Sequence, residues 1–144
     1  MEYIDTNILI SYIDKNDPKH TIAERSLNEY TNKIISELNI IEMRSVLSRN
    51  NLLEEEIDAL MDYLFIKNHI QIESIDLNKS IVKGNEIVNN LKLKTLDLLH
   101  IANAILAKAD KFITFDKDFV NKKNRIEYYN VEIINPVSNN VFWK

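Results

Sequence analysis

The amino-acid sequence predicts one α/β domain in which helices cover both faces of a mainly parallel sheet, a three-layer α/β/α sandwich. Short apolar runs alternate with longer segments of helical period, and no linker, repeat or low-complexity stretch divides the 144 residues. A chain of this length can bury roughly two-thirds of the surface that it exposes when unfolded. We place the domain at residues 1–135 and a C-terminal tail at residues 136–144.

The elements alternate regularly along the chain. The predicted strands are residues 2–5, 33–36, 69–72, 111–115 and 131–134. The predicted helices are residues 21–30, 38–47, 54–65, 77–91 and 96–109. Strands that alternate with helices indicate a parallel sheet that is buried on both faces. Because such sheets bind ligands outside the carboxyl ends of their strands, functional residues are sought there.

Composition excludes several classes of site. Gly84 is the only glycine, which argues against phosphate-binding loops of the Walker or dinucleotide type. The absence of cysteine excludes disulfides, thiolate zinc sites and cysteine nucleophiles, and is typical of proteins in the reducing cytoplasm. No signal peptide or membrane-spanning run is evident. We expect a cytoplasmic protein with no membrane association.

The net charge of −4 hides a basic segment. Residues 92–125 contain eight Lys or Arg against four acids, a local charge of +4. Such a segment fits a solvated face, and it equally fits a surface that contacts phosphates. The preferred backbone-phosphate contacts, chosen because they follow Asp116 closely, are Lys117, Lys122, Lys123 and Arg125.

Four acids are predicted to converge at one edge of the sheet. Asp5 and Asp116 directly follow predicted strands, and Glu42 lies in the early turns of the helix after residues 33–36. Asp97 lies at the start of a later helix. Each acid also has a local explanation, because Asp5, Asp97 and Asp116 could cap helices or make turns and Glu42 could be an exposed helix residue.

The chemistry of the four acids together favours a metal site. Carboxylates gathered without bases repel one another, and a hard divalent cation relieves the repulsion. Oxygen ligands without His or Cys select Mg²⁺ or Mn²⁺ over zinc. Because Mg²⁺ is usually shared between carboxylates and substrate phosphate, the sequence predicts hydrolysis of a nucleic-acid backbone.

Four segments carry a resemblance to a known family: residues 4–9, 35–43, 96–104 and 112–119. In order and spacing they resemble the signature blocks of PIN-domain nucleases, including VapC-type toxins. The resemblance implies that Asp5 and Asp97 are the principal metal ligands and that Glu42 and Asp116 complete the site. The number of metal ions stays open.

The resemblance also implies supporting roles. Asn7 would orient Asp5, Thr114 would support Asp116, and Asp118 matches a more variable acid that is a candidate helper. His100 follows Asp97 by one helical turn, so a metal or proton-transfer role is open, although the neighbouring apolar stripe favours a place in the core.

The family generally cleaves single-stranded or loop RNA and leaves a 5′-phosphate and a 3′-hydroxyl. Its toxins pair with a small antitoxin, and homodimers are common. The resemblance therefore implies a Mg²⁺- or Mn²⁺-dependent endoribonuclease with an antitoxin partner. The alternative is a non-catalytic RNA- or partner-binding PIN-like domain. An aspartyl-phosphate phosphatase is disfavoured, because it would need an acid where Asn7 stands.

Overall fold

A computed structural model of the chain describes residues 1–137. Its sheet has five strands, all parallel, in the order β3-β2-β1-β4-β5. The strands are β1 (Glu2–Ile4), β2 (Lys33–Ser36), β3 (Gln71–Glu73), β4 (Lys111–Ile113) and β5 (Glu132–Ile134). The predicted parallel sheet is confirmed.

Eight helices within residues 1–137 connect and flank the strands. They are α1 (Thr6–Ile13), α2 (His20–Glu29), α3 (Glu37–Arg49), α4 (Glu54–Lys67), α5 (Leu77–Leu91), α6 (Thr95–Leu106), α7 (Lys117–Asn121) and α8 (Lys123–Glu127). Residues from α1 to α4 pack on one face of the sheet and residues from α5 to α8 on the other. The α/β/α sandwich is therefore confirmed.

Adjacent residues of the strands supply the two cores. In β1, Tyr3 joins the core under α5 to α8, whereas Ile4 joins the core under α1 to α4. The pairs Ile34 and Ile35, Phe112 and Ile113 divide in the same way. This follows from the two-residue period of a strand, which sends successive side chains to opposite faces. Short strands of consecutive apolar residues are thus buried on both sides.

The strand order reverses beside β1. The chain runs outward from β1 to β2 and β3, and then returns to place β4 on the other side of β1. The carboxyl ends of β1 and β4 therefore adjoin at the point of reversal, where an open parallel sheet forms its ligand crevice.

Most boundaries shift by one to three residues from those predicted, and the largest differences have local causes. His69, the predicted start of a strand, has a left-handed φ of 54° after α4, so β3 begins only at Gln71. The helices α7 and α8 were not among the predicted elements, because five residues are too few for a clear helical period. Helix α1 was expected only as a helix near Asn7 that Asp5 could cap.

The chain beyond β5 is described only as far as Val137. Val137 is partly buried against the core under α1 to α4, so the predicted tail begins in contact with the domain. Residues 138–144 of that tail lie outside the described residues. No helix among residues 1–137 is long and apolar enough to cross a membrane.

Candidate active site

Three aspartates form a group that could hold a cation. One carboxylate oxygen from each of Asp97, Asp116 and Asp118 lies within 4.8 Å of the others. Asp97 is in the first turn of α6, Asp116 precedes α7, and Asp118 is in the first turn of α7. We call these three residues the acidic cluster. Asp118, predicted only as a possible helper, belongs to this group.

In the acidic cluster, the charged form of Asp97 is disfavoured by its surroundings. Partial burial raises the pKa of Asp97 to about 6, and the nearby carboxylates of Asp116, Asp5 and Asp118 add to this effect. His100 acts in the opposite direction but does not overcome it. A carboxyl group in this state gains from any cation that binds beside it.

Asp5 interacts electrostatically with both Glu42 and Asp97 of the acidic cluster. It is only 6% exposed, and burial raises the pKa of its carboxyl group, with the charge of Glu42 adding to the effect. Its Oδ1 accepts a hydrogen bond from the backbone of Thr6 at 2.8 Å, and its Oδ2 accepts one from Thr114 Oγ1 at 2.7 Å. Asp5 is therefore the N-cap of α1, and hydrogen bonds from Thr6 and Thr114 hold both of its carboxylate oxygens.

Thr114 joins the ends of β1 and β4. Besides donating to Asp5, its Oγ1 accepts a hydrogen bond from the backbone N–H of Asp116 at 2.9 Å. Asn7 Nδ2 donates to the same oxygen at 3.4 Å, while Asn7 Oδ1 accepts from the backbone N–H of Phe115 at 3.3 Å. Asn7 therefore reaches Asp5 through Thr114 and not directly. These contacts fix the spacing of Asp5 and Asp116.

Glu42 differs from Asp5 and Asp97 because its hydrogen-bond partners outweigh burial and lower its pKa. Its Oε1 accepts hydrogen bonds from Thr6 Oγ1 at 2.6 Å and from His100 Nε2 at 2.5 Å. Burial acts to raise its pKa, but the hydrogen bond and charge of His100 and the bond from Thr6 together lower it. We call Glu42, Thr6 and His100 the Glu42 network. Glu42 is not part of the acidic cluster.

Local and functional explanations coexist at two of the acids. Asp5 caps α1, and Asp116 caps α7 by accepting from the backbone N–H of Asp118 at 2.9 Å. These are the local roles that the sequence left open. A capped helix start fixes the carboxylate in space, so the cap also helps to position it.

The donor set fits a hard divalent cation. Every group that could coordinate an ion in the acidic cluster is a carboxylate oxygen, the ligand type that Mg²⁺ and Mn²⁺ prefer. Asp97, Asp116 and Asp118 would hold the ion, with Asp5 adjacent. The raised pKa of Asp97 has the sign expected of a ligand set without its counter-charge.

The predicted phosphate contacts are unequally placed. Lys117 directly follows Asp116 and is exposed, and Lys122 is partly buried at the junction of α7 and α8. Lys123 Nζ lies 3.7 Å from Glu127 Oε2, and Arg125 Nη1 donates to the Asn90 carbonyl at 3.0 Å. Lys123 is therefore paired within α8, and Arg125 joins α8 to α5.

A cleft beside Asp116 contains a further cation. Asn7, Ser11, Asp17, Pro18, Lys19, Phe115 and Asp116 line it. Lys19 Nζ lies 5.1 Å from the centre of the Phe115 ring, within range of a cation–π contact. Lys19 was missed in the sequence, because nothing local connects it with a strand end more than ninety residues away.

Comparison with known proteins identifies the family. The PIN domain family model matches residues 3–124, which include all four acids and Asp118. The chain belongs to the PIN domain family. The predicted resemblance is therefore confirmed. No curated protein sequence matches the chain at a significant level.

Solved structures share the PIN fold along nearly the whole chain. A toxin–antitoxin complex from Klebsiella pneumoniae aligns with a TM-score of 0.70 at 20% identity, covering 94% of this chain and 98% of that one. VapBC2 from Rickettsia felis, bound to a promoter DNA fragment, aligns with a TM-score of 0.67 at 20% identity, covering 94% and 98%. Mycobacterium tuberculosis VapC20, a toxin that cleaves the sarcin–ricin loop, aligns with a TM-score of 0.67 at 15% identity, covering 84% of this chain and 94% of that one.

Proposed function

We propose that this PIN domain is a Mg²⁺- or Mn²⁺-dependent endoribonuclease and the toxin of a toxin–antitoxin pair, acting in the cytoplasm. The observation that carries the proposal is the acidic cluster at the crevice, next to a buried Asp5, with the pKa of Asp97 raised to about 6. The absence of cysteine supports a cytoplasmic setting.

The acids have distinct tasks in the proposed reaction. When bound, Mg²⁺ or Mn²⁺ supplies a more acidic water and a counter-charge for the phosphodiester. Asp97, Asp116 and Asp118 would hold the ion together with Asp5, and Glu42 would complete the site directly or through water. Thr114 keeps Asp5 and Asp116 at a fixed separation through hydrogen bonds of 2.7 and 2.9 Å. This rigidity matters because misplacing a ligand by even an ångström slows such reactions.

The test is cleavage of a single-stranded RNA with Mg²⁺ or Mn²⁺. We expect cleavage by the wild type, loss of at least about a hundredfold in Asp5→Asn and Asp97→Asn, and no cleavage in EDTA. The matched control is Asp76→Asn. It alters the exposed N-cap of α5, where an asparagine can serve as the cap in place of the aspartate. Equal cleavage by all four proteins would eliminate the proposed site, and a well-folded wild type without cleavage would favour the non-catalytic alternative.

Cations around the crevice are the proposed contacts to the RNA backbone. We expect Lys117, Lys122 and Lys19 to contribute most, and Lys123 and Arg125 less, because Glu127 and Asn90 already engage the last two. Each lost phosphate contact should reduce the slope of log affinity against log salt by about 0.7 for a single strand. RNA binding by Lys117→Ala and Arg125→Ala, measured without metal at several salt concentrations, tests this order.

An antitoxin protein and a second copy of the chain are the proposed partners. The support is the fold shared with structures of toxin–antitoxin complexes, together with exposed apolar side chains. Ile41 and Leu77, 65% and 62% exposed, line one groove with Leu99. Such a surface is typical of a partner-binding face. Sedimentation of the chain alone and with the product of a neighbouring gene would show which partner binds, and a monomer in both conditions would contradict both proposals.

A further inference from the structure

His100 is a deeply buried titratable side chain that contacts Glu42. It lies on α6 one turn after Asp97 and is 1% exposed. Its Nε2 contacts Glu42 Oε1 at 2.5 Å. Because a carboxylate can only accept, Nε2 is the donor in this contact. One nitrogen of the imidazole, Nε2, is therefore hydrogen-bonded to Glu42.

The other edge of the ring is held equally firmly. His100 Nδ1 lies 2.8 Å from the Tyr3 hydroxyl, which in turn lies 2.7 Å from Ser36 Oγ. Asn103 Nδ2 donates to Ser36 Oγ at 3.1 Å and Asn103 Oδ1 accepts from Ser80 Oγ, so the contacts continue from α6 through β1 and β2 to α5. Among the described residues, no buried side-chain nitrogen or oxygen lacks a hydrogen-bond partner.

Aromatic packing also restrains the ring. Tyr3 makes an edge-to-face contact with His100 at 5.8 Å between ring centres, and its opposite side stacks on Phe112 at 5.3 Å. Phe112 belongs to β4 and is fully buried. With both nitrogens bonded and a neighbouring ring fixed in the core, the imidazole has little freedom to turn. It also has no nitrogen left to bind a metal.

Glu42 benefits from this fixed neighbour. Its side chain is flexible by nature and 23% exposed, yet Thr6 and His100 both donate to the same oxygen, Oε1. Within residues 1–137 no hydrogen bond to Oε2 is found. Two hydrogen bonds to Oε1 from different directions restrict the orientation of the carboxylate, and so also the direction in which Oε2 points. That is how partners behind a ligand orient it towards a metal.

We propose that His100 is a positioning residue that holds Glu42 by Oε1 and so directs Oε2 to the divalent cation. The inference rests on the proposed function, because it takes Glu42 to act on that cation. His100 itself neither binds the ion nor touches the substrate. This role distinguishes it from both the metal ligand and the core residue that the sequence allowed.

The experiment measures the Kd for Mn²⁺ by isothermal titration calorimetry and stability by thermal unfolding. Its variants are His100→Asn, His100→Gln, Glu42→Gln and the double variant Glu42→Gln with His100→Asn. An asparagine amide reaches only as far as Nδ1, whereas a glutamine amide reaches about as far as Nε2 and can still donate to Glu42. We expect Mn²⁺ binding to weaken about tenfold or more in His100→Asn and to recover largely in His100→Gln.

The double variant separates positioning from general support of the fold. If His100 acts through Glu42, His100→Asn causes no further loss of Mn²⁺ affinity once Glu42 is Gln. The matched control is Asn68→Ala, which removes a buried hydrogen bond to the Leu64 carbonyl on α4. It should lower the Tm without changing the Kd for Mn²⁺.

Each result decides the matter. The positioning role is overturned if His100→Asn lowers Mn²⁺ affinity by the same factor in the wild type and in Glu42→Gln. It is also overturned if Asn68→Ala lowers Mn²⁺ affinity as much as His100→Asn does. Mn²⁺ binding that Glu42→Gln leaves unchanged overturns it too, while the nuclease proposal stands on the acidic cluster. If the wild type binds no Mn²⁺, the proposed function fails and the inference with it. Should His100→Asn not fold, Tyr3→Phe, which removes only the hydroxyl at Nδ1, should show a smaller loss, and no loss there would overturn the role.

Discussion

The two ends of the acidic site shift the pKa of their carboxyl groups in opposite directions. In the Glu42 network, Thr6 and His100 supply hydrogen bonds and charge, and the pKa of Glu42 is lowered. In the acidic cluster, Asp97 has other carboxylates for neighbours, and its pKa is raised to about 6. The protein thus stabilises the negative charge at one end and destabilises it at the other. A cation is therefore needed at the acidic cluster, where the protein leaves the charge of Asp97 unfavourable.

The largest expected effect is stabilisation by metal. An ion that binds only the folded chain adds about 2.7 kcal/mol to the free energy of unfolding when its concentration is a hundred times the Kd. For a domain of this size that corresponds to several degrees in Tm. Thermal unfolding with MnCl₂ or EDTA measures it. We expect the shift in wild type and its near loss in Asp97→Asn. A shift of equal size in Asp97→Asn would place the ion elsewhere.

The second effect is the loss of stability in Glu42→Gln. A hydrogen bond to a charged group contributes about 1.5 to 3 kcal/mol, so we expect a loss of about 2 kcal/mol at pH 7 in EDTA. Because the folded pKa is below the unfolded value, this contribution is present above the unfolded pKa of 4.5 and is lost as pH falls through the folded pKa. Urea unfolding at pH 7 and at pH 3 to 4 should show the gap closing.

The control for that measurement is Glu24→Gln, an exposed position on α2. It should change stability by less than about 0.5 kcal/mol at either pH. A loss in Glu42→Gln that persists unchanged at low pH would mean that packing, and not the charge, holds Glu42.

The third effect has the opposite sign, because Asp97→Asn should stabilise the metal-free protein. A shift from 3.8 to about 6 corresponds to about 3 kcal/mol at most. Since Asp97 is partly exposed, we expect about 1 to 2 kcal/mol at pH 8. The folded chain binds the extra proton between pH 3.8 and about 6, so the wild type loses stability as pH rises through that window.

Urea unfolding in EDTA at pH 8 and pH 4 compares Asp97→Asn with wild type. The advantage of the variant should be present at pH 8 and largely absent at pH 4, where the wild-type carboxyl is protonated. A variant less stable than wild type at pH 8 would show that Asp97 is held by hydrogen bonds, like Glu42. The contrast between the two ends would then disappear.

The fold followed from the sequence because its signals are local. Consecutive apolar pairs such as Tyr3 and Ile4 indicate a strand that is buried on both faces, and the structure assigns the two residues to opposite cores. The position of Asp5 directly after β1 followed from the same signals, whereas Asp116 lies three residues after the end of β4 and not directly at it. Short helices such as α7 were beyond reach, since five residues carry no clear period.

The electrostatic environment of each acid could not be predicted, because it depends on contacts between residues that are distant in the sequence. His100 appears in the sequence within an apolar helical stripe, and only packing shows that its ring bridges Tyr3 and Glu42, 97 and 58 residues away. Asp118 likewise follows Asp116 as the residues of a turn would, and only the approach of α6 brings Asp97 to both. The sequence therefore indicated the acids at the edge but not which of them the protein neutralises.

The smallest expected effect concerns Asp118, which is exposed and at the rim of the acidic cluster. Exposed charge interactions amount to about 0.2 to 1 kcal/mol, so Asp118→Asn should weaken Mn²⁺ binding by no more than about fivefold. The variant should also bring the pKa of Asp97 closer to its usual value, because Asp118 helps to raise it. Carboxyl chemical shifts during a pH titration report that change. If the pKa of Asp97 falls while Mn²⁺ affinity is unchanged, Asp118 is a charged neighbour and not a ligand, and Asp97 and Asp116 would hold the ion without it.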